Sequence, residues 1–330
     1  MSNNSSATKI ASVSRSETAR RFLPYNSPLV FKQITLDDLP EINRIVRMSR
    51  SLTCDYTIGG IFMWVDYFKY QYCIYRDTLF ISGLSENHPD MMAFSCPVGS
   101  LPLPTAINLL KDYCEERDMP LRFSAIPADC LACFTAINPA AEVEELTDWS
   151  DYVYTADSFA TLSGKKMAKK RNHVNHFLQE YPEATLSPIR PDDIPLLKAE
   201  LMRWHAEASE EPADSSTEQE ELREVIDVLD HYSDYPFVGY MLRTAPDGPV
   251  AGFSMAEIIN EMAFVHIEKM DHTLNGAGET LAHLFVKELR KEYPAVSYLN
   301  REEDCGDPGL RRAKESWHPA MLLRKYNVAL

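Results

Sequence analysis

The sequence predicts a mixed α/β chain, of the α+β kind with mixed sheets, built from two similar domains. Three observations predict it. Two short segments recur: Ile34-Thr-Leu-Asp-Asp-Leu-Pro40 returns as Ile189-Arg-Pro-Asp-Asp-Ile-Pro195, and Met92-Ala-Phe94 as Met262-Ala-Phe264. The order of elements around these anchors agrees in the two copies. A length of 330 residues leaves room for two domains of about 100–200 residues each. With 45% apolar and 25% charged residues, the chain is an ordinary globular one, which excludes a disordered chain, a collagen-like fibre and a coiled coil.

Each copy opens on a short apolar strand, Leu29–Ile34 and Ala184–Ile189, and runs into an Asp-rich helix start. Asp37 and Asp192 are placed to cap these helices, with proline in the first turn where its missing N–H costs nothing. Leu39, Ile42 and Val46 mark the apolar face of the first helix, and Ile194, Leu197 and Leu201 that of the second. A hairpin follows in each copy. Tyr72–Tyr75 turns at Arg76-Asp77 into Thr78–Gly83, and Phe237–Arg243 turns at Pro246-Asp247-Gly248 into Val250–Ile259. Third strands (Met91–Ser95; Met262–Met270), helices (Thr105–Arg117; Gly278–Lys291) and fourth strands (Leu121–Ile126; Val296–Asn300) complete the pair. The expected division is a Ser/Asn-rich disordered tail at 1–27, a first domain at 28–150 and a second at 151–330.

The copies differ where chemistry would show. After its third strand the second copy has Thr273-Leu-Asn275-Gly276-Ala277-Gly278, a strand-to-helix bend whose glycines let backbone N–H groups approach an anion. The first copy has Pro97, Pro102 and Pro104 in the same place, and proline removes donors. The first domain is therefore expected to be a scaffold and the second to carry activity.

Several classes are excluded early. The longest uncharged stretch, Met91 to Leu110, is interrupted by Gly99 and three prolines and does not read as a membrane span. The N-terminal segment lacks the apolar core of a secretory signal. Seven cysteines, with Cys130-Leu-Ala-Cys133 lacking a second pair for zinc, read as reduced cytoplasmic thiols without a metal centre. The net charge of −16 argues against a nuclease or general DNA binder. From Glu207 to Asp234 there are eleven acids and one base, a local charge of −10 that leaves −6 for the rest. Against that background Lys165, Lys166, Lys169, Lys170 and Arg171 put five positive charges into seven residues, on a helix expected over Ser163–Phe177. Asn172 lies on the same side as Lys165 and Lys169.

In the strand Met262–Met270, His266 and Glu268 are two apart and are expected to share one face. Glu268 is then the candidate general base and His266 its helper, with Glu257 on the preceding strand raising a carboxyl pKa toward the working range of a base. Asn300 and Arg301 follow the fourth strand, where α/β sheets bind ligands, as candidates for a carbonyl and for a carboxylate or phosphate.

The bend Thr273–Gly278 resembles the pyrophosphate loop of the GNAT acyltransferase superfamily, with Gly276 and Gly278 on its glycine positions and Thr273 where Arg or Gln is usual. Three blocks resemble more closely the phosphatidylglycerol lysyltransferase C-terminal-domain-like family of tandem GNAT folds. They are Asp151-Tyr-Val-Tyr154 through Lys165-Lys166 to Phe177; Val265-His-Ile-Glu-Lys269; and Leu299-Asn-Arg-Glu-Glu-Asp304 through Gly309–Lys314 and His318-Pro319 to Tyr326. The resemblance implies two tandem GNAT-like domains and direct attack of an amine or hydroxyl on an acyl carbonyl. Its implied donors are aminoacyl-tRNA or acyl-CoA, with no tightly bound cofactor. It also implies a leaving-group acid near Tyr326, and a tRNA acceptor stem or phospholipid head group at the basic helix. A cytoplasmic protein, with peripheral attachment at the inner membrane surface as an option, fits that picture. An acyl-CoA N-acetyltransferase for a small amine, and an inactive GNAT pair acting as a binding or regulatory module, are the alternatives.

Overall fold

In the computed structural model, which describes residues 26–208 and 216–330, two mixed sheets form. Residues 1–25 of the expected tail and 209–215 of the acidic run lie outside the described residues. The first sheet takes β1 (Lys32–Gln33), β2 (Gln71–Ile74), β3 (Thr78–Leu84), β4 (Met92–Phe94), β5 (Val98–Gly99), β6 (Arg122–Pro127) and β7 (Glu142–Glu145). The second takes β8 (Asp151–Thr155), β9 (Thr185–Pro188), β10 (Phe237–Arg243), β11 (Val250–Ile259), β12 (Met262–Met270), β13 (Tyr298–Asn300) and β14 (Met321–Leu323). The last strand, β15 (Lys325–Ala329), crosses back and pairs between β6 and β7 of the first sheet.

Both sheets follow one plan. β1-β2-β3-β4-β6 in the first corresponds in order to β9-β10-β11-β12-β13 in the second. In each, four antiparallel strands are followed by a helix and a strand that pairs in parallel, β6 on β4 and β13 on β12. The parallel pairing is short, a single residue pair in the first sheet and three in the second. The strand beside the parallel one has a different origin in each sheet: β8 stands beside β13 in the second, whereas β15 crosses from the end of the second half to stand beside β6 in the first. The expected second domain at 151–330 thus gives its last strand to the first sheet, where β15 pairs antiparallel with both β6 and β7.

Local sequence explains the elements. Arg76 and Asp77 both take positive φ (49° and 50°), the two-residue hairpin turn whose twist matches its strands. The helix Ala277–Glu292 buries Ala277, Leu281, Phe285 and Leu289 at four-residue spacing. A shared apolar core joins the halves, with Ile42, Ile58 and Phe62 of the first packed in one cluster with Leu197, Phe253 and Ile267 of the second. No helix among the described residues is long and apolar enough to cross a membrane.

Candidate active site between the two sheets

A β-bulge decides the site. Met255 pairs with Ile267 and the next residue, Ala256, with Val265, which leaves His266 as the extra residue of β12. The bulge breaks the period-two alternation, so His266 and Glu268 do not share a face as expected. His266 turns toward the first half, between Phe237 and Phe264 and against Gly59. Glu268 turns the other way, to Arg301 at 2.5 Å, whose guanidinium lies near the rings of Tyr154, Phe159 and Trp317.

The face toward the first half is a buried polar seam. His266 Nδ1 meets Glu302 at 2.7 Å and Nε2 lies 3.7 Å from Glu257, with the imidazole wholly shielded from solvent. Burial disfavours its charge, but the two carboxylates outweigh that and raise its pKa to about 9. Glu257 Oε2 also accepts the N–H groups of Ile58 (2.8 Å) and Gly59 (3.2 Å), at the start of the short helix Ile58–Phe62. A Cβ on Gly59 would lie 2.4 Å from the imidazole, so only glycine lets that helix come this close. Glu257 therefore meets His266, as expected, but not Glu268.

Next to this triad lies a second cluster. Lys325 Nζ is 2.7 Å from Asp151, 2.8 Å from Asp55 and 3.6 Å from Glu303, with Cys54 Sγ at 3.5 Å. Burial opposes the ammonium, yet the carboxylates hold the Lys325 pKa well above its ordinary value. Burial pushes the Asp151 carboxyl up while Lys325 pulls it down, and the Cys54 thiol is pushed up by burial among acids. Asn300 donates to Asp151 (2.6 Å) and to the carbonyl of Leu52 (2.9 Å), and accepts from the Glu302 N–H. It is fully buried and ties the halves together, so it does not face a substrate carbonyl as expected. Tyr326, expected near the leaving group, sits in the first sheet against the core of Phe123 and Phe134, because its neighbour Lys325 takes the inward position on β15.

The other face holds Glu268, Arg301 and Lys170. Lys170 bonds Glu279 at 3.3 Å and sits over the Trp317 ring at 4.6 Å; burial lowers its pKa against the pull of Glu279. Lys314 is buried, donates to the carbonyl of Arg301, and has its pKa lowered by burial and by Arg301.

The glycine bend differs from its expectation. Glu279, in the first turn of the helix Ala277–Glu292, faces Lys170 and His173, so a carboxylate already occupies the positive helix end. Thr273 donates both N–H and hydroxyl to Asp271, which also bonds Arg203. The Ala277 N–H bonds Leu274, and Asn275 points to solvent. Gly276 takes φ +84°, and a Cβ there would lie 2.5 Å from the carbonyl of His173. Its glycine serves packing against the helix Ala168–Glu180. Gly276→Ala is accordingly expected to cost about 1–3 kcal/mol, read as a lower thermal midpoint, whereas Gly164→Ala, at φ +80° but with nothing within 4 Å, is expected to cost less.

The basic segment divides in the same way. Lys165 and Lys166 lie in a turn before the helix Ala168–Glu180, which begins later than expected. Lys170 faces inward with Val174 and Phe177, and Arg171 donates to the carbonyls of Leu162 and Gly164. Lys165, Lys166, Lys169 and Asn172 are exposed, and the three lysines have no partner among the described residues. Reasoning from sequence gave no role to Lys325, Asp151, Cys54, Glu302 or Lys314. The dense run Arg301-Glu-Glu-Asp304 at a strand end was the available signal for Glu302 and Glu303.

Comparison with known proteins adds to this geometry. The family described as Phosphatidylglycerol lysyltransferase, C-terminal, matches residues 47–329. A crystal structure of a conserved protein of unknown function from Bacteroides thetaiotaomicron is 28% identical, with a TM-score of 0.82 over 92% of this chain and 99% of that one. The C-terminal domain of a protein assigned as a lysylphosphatidylglycerol synthetase of Agrobacterium fabrum is 14% identical, with a TM-score of 0.60 over 89% and 92%. FemX is 9% identical, with a TM-score of 0.61 over 91% and 96%. The observed fold, two GNAT-like units on mixed sheets, is the one the resemblance implied.

Proposed function

The chain belongs to the phosphatidylglycerol lysyltransferase C-terminal family, and from that premise we propose that it is an aminoacyl transferase whose donor is aminoacyl-tRNA. In this reaction an acceptor amine or hydroxyl attacks the ester carbonyl carbon. The new bond forms, the ester C–O bond breaks, and the acceptor's proton ends on the ribose oxygen that leaves. Such chemistry asks for orientation, a proton acceptor and oxyanion donors rather than a covalent intermediate. Glu268, about 15% exposed, is the candidate base, and Arg301 the candidate donor to the oxyanion. His266, sealed between Glu257 and Glu302, is a positioning residue for the loop that carries Arg301.

The observation that carries the choice of donor is the pair of acids at the bend, Glu279 and Asp271. With Glu279 in the first turn of the helix and Asp271 holding Thr273, carboxylates already stand at the bend, and their charge disfavours the pyrophosphate of an acyl-CoA there. Three lysines without a partner among the described residues stand on the turn and helix that pack against the bend, where phosphates of an acceptor stem give affinity without sequence readout. The test is fluorescence titration with charged tRNA at several salt concentrations. Each phosphate contact contributes about 0.7–0.9 to the slope of log K against log salt. Replacing Lys165, Lys166 and Lys169 together by Gln is expected to lower that slope by about 2; an unchanged slope would remove the helix from the account.

A further inference from the structure

We propose that the first half carries a separate site for a free, zwitterionic α-amino acid with an aliphatic side chain. A groove of about 300 Å³ runs over the first sheet beside β4, which pairs with β6 at one residue only, and crosses β6, β15 and β7. Arg122, Ala329 and Glu142 lie side by side in one cross-strand row and all line it. Neighbours in such a row point to the same face, and two strand spacings put the Arg122 and Glu142 backbones about 10 Å apart. Between them Ala329 leaves a low floor.

The charges in the groove are unequal in their commitments. Glu144 is saturated, accepting from Asn87 (3.0 Å), His88 (3.0 Å) and Asn327 (2.9 Å). Behind it Ser124 bonds Glu86 and Asn327, which fixes the polar wall. The side chains of Arg122 and Glu142, by contrast, have no hydrogen-bond or ion-pair partner among the described residues. An unpaired guanidinium reads a carboxylate bidentately, and an unpaired carboxylate reads an ammonium. Met91 and Ala93 supply the apolar side against which an aliphatic side chain would lie. An aminoacyl ester lacks the carboxylate that Arg122 would bind. The site is thus distinct from the proposed donor site, and the inference does not rest on the transferase reading.

The test uses the intact protein and L-leucine as probe, by isothermal titration calorimetry. Leucinamide, without the carboxylate, and 4-methylpentanoate, without the ammonium, serve as controls that need no variant. Saturable binding of leucine, with both analogues at least tenfold weaker, is the expected result. Arg122→Gln is expected to weaken leucine at least tenfold while leaving the weaker leucinamide unchanged. Absence of saturable leucine binding, an analogue binding as tightly as leucine, or an indifferent Arg122→Gln would each overturn the proposal. The Gln variants at Lys165, Lys166 and Lys169 should bind leucine normally, which keeps this result separable from the tRNA titration.

Discussion

Lys325→Met is expected to destabilise the protein by about 3–5 kcal/mol, the usual cost of removing one partner from a buried ion pair. The ammonium stands among Asp151, Asp55 and Glu303, with Asp151 fully buried, and among the described residues no other cation forms an ion pair with Asp151 or Asp55. Asn300 donates to Asp151 but carries no charge. Without Lys325 the carboxyl pKa values, already raised at Asp151 and Asp55 by burial, must rise further. An acid whose folded pKa lies above its unfolded value is stabilised below the unfolded pKa and loses that support as pH rises through the folded one. The deficit of the variant should therefore shrink on acidification and widen toward neutral pH. Urea unfolding of both proteins at several pH values checks this. An equal deficit at every pH would mean that lost packing, not unpaired charge, is responsible.

His266→Gln is the second large effect. In the fold the imidazolium persists to about pH 9, against about 6.5 for an unperturbed histidine. Its stabilisation is fully present below about pH 6.5 and is lost as pH rises through about 9. By linkage the shift corresponds to about 3 kcal/mol at the acid end. The wild-type protein should exceed the variant in stability at pH 6, with the gap closing by pH 10. Imidazole chemical shifts followed by NMR should show titration well above pH 7 in the same protein. A positional role for His266 also predicts that transfer by the variant, measured below pH 7, falls in kcat rather than in the KM for tRNA.

Much of the fold was legible because its elements bury one side. The helix Ala277–Glu292 announces itself by Leu281, Phe285 and Leu289, and the hairpin at Arg76-Asp77 by the strands on either side. The two strand orders agree as the repeated segments implied. The crossing of β15 to the first sheet was not legible, since the sequence Lys-Tyr-Asn-Val-Ala has no mark of which sheet will receive it. The bulge at His266 was hidden for a related reason. Alternation assumes one residue per pleat, and nothing in Val-His-Ile-Glu records an extra one. Lys170 was legible in principle, being four and seven residues from Val174 and Phe177, yet a count of charges treated it like its exposed neighbour Lys169. The glycines of the bend have the spacing of an anion cradle, whereas at Gly276 the constraint comes from the backbone of a packed helix.

The donor is the claim on which the functional account turns, and one double-label assay addresses it. The protein is incubated with tRNA charged with a carbon-14 amino acid, with tritiated acetyl-CoA, and with an acceptor mixture of lipid, peptide and small amines. The account predicts that carbon-14 moves into the acceptor fraction in proportion to protein, and that tritium does not. Transfer of tritium, with carbon-14 remaining on the tRNA, would contradict it.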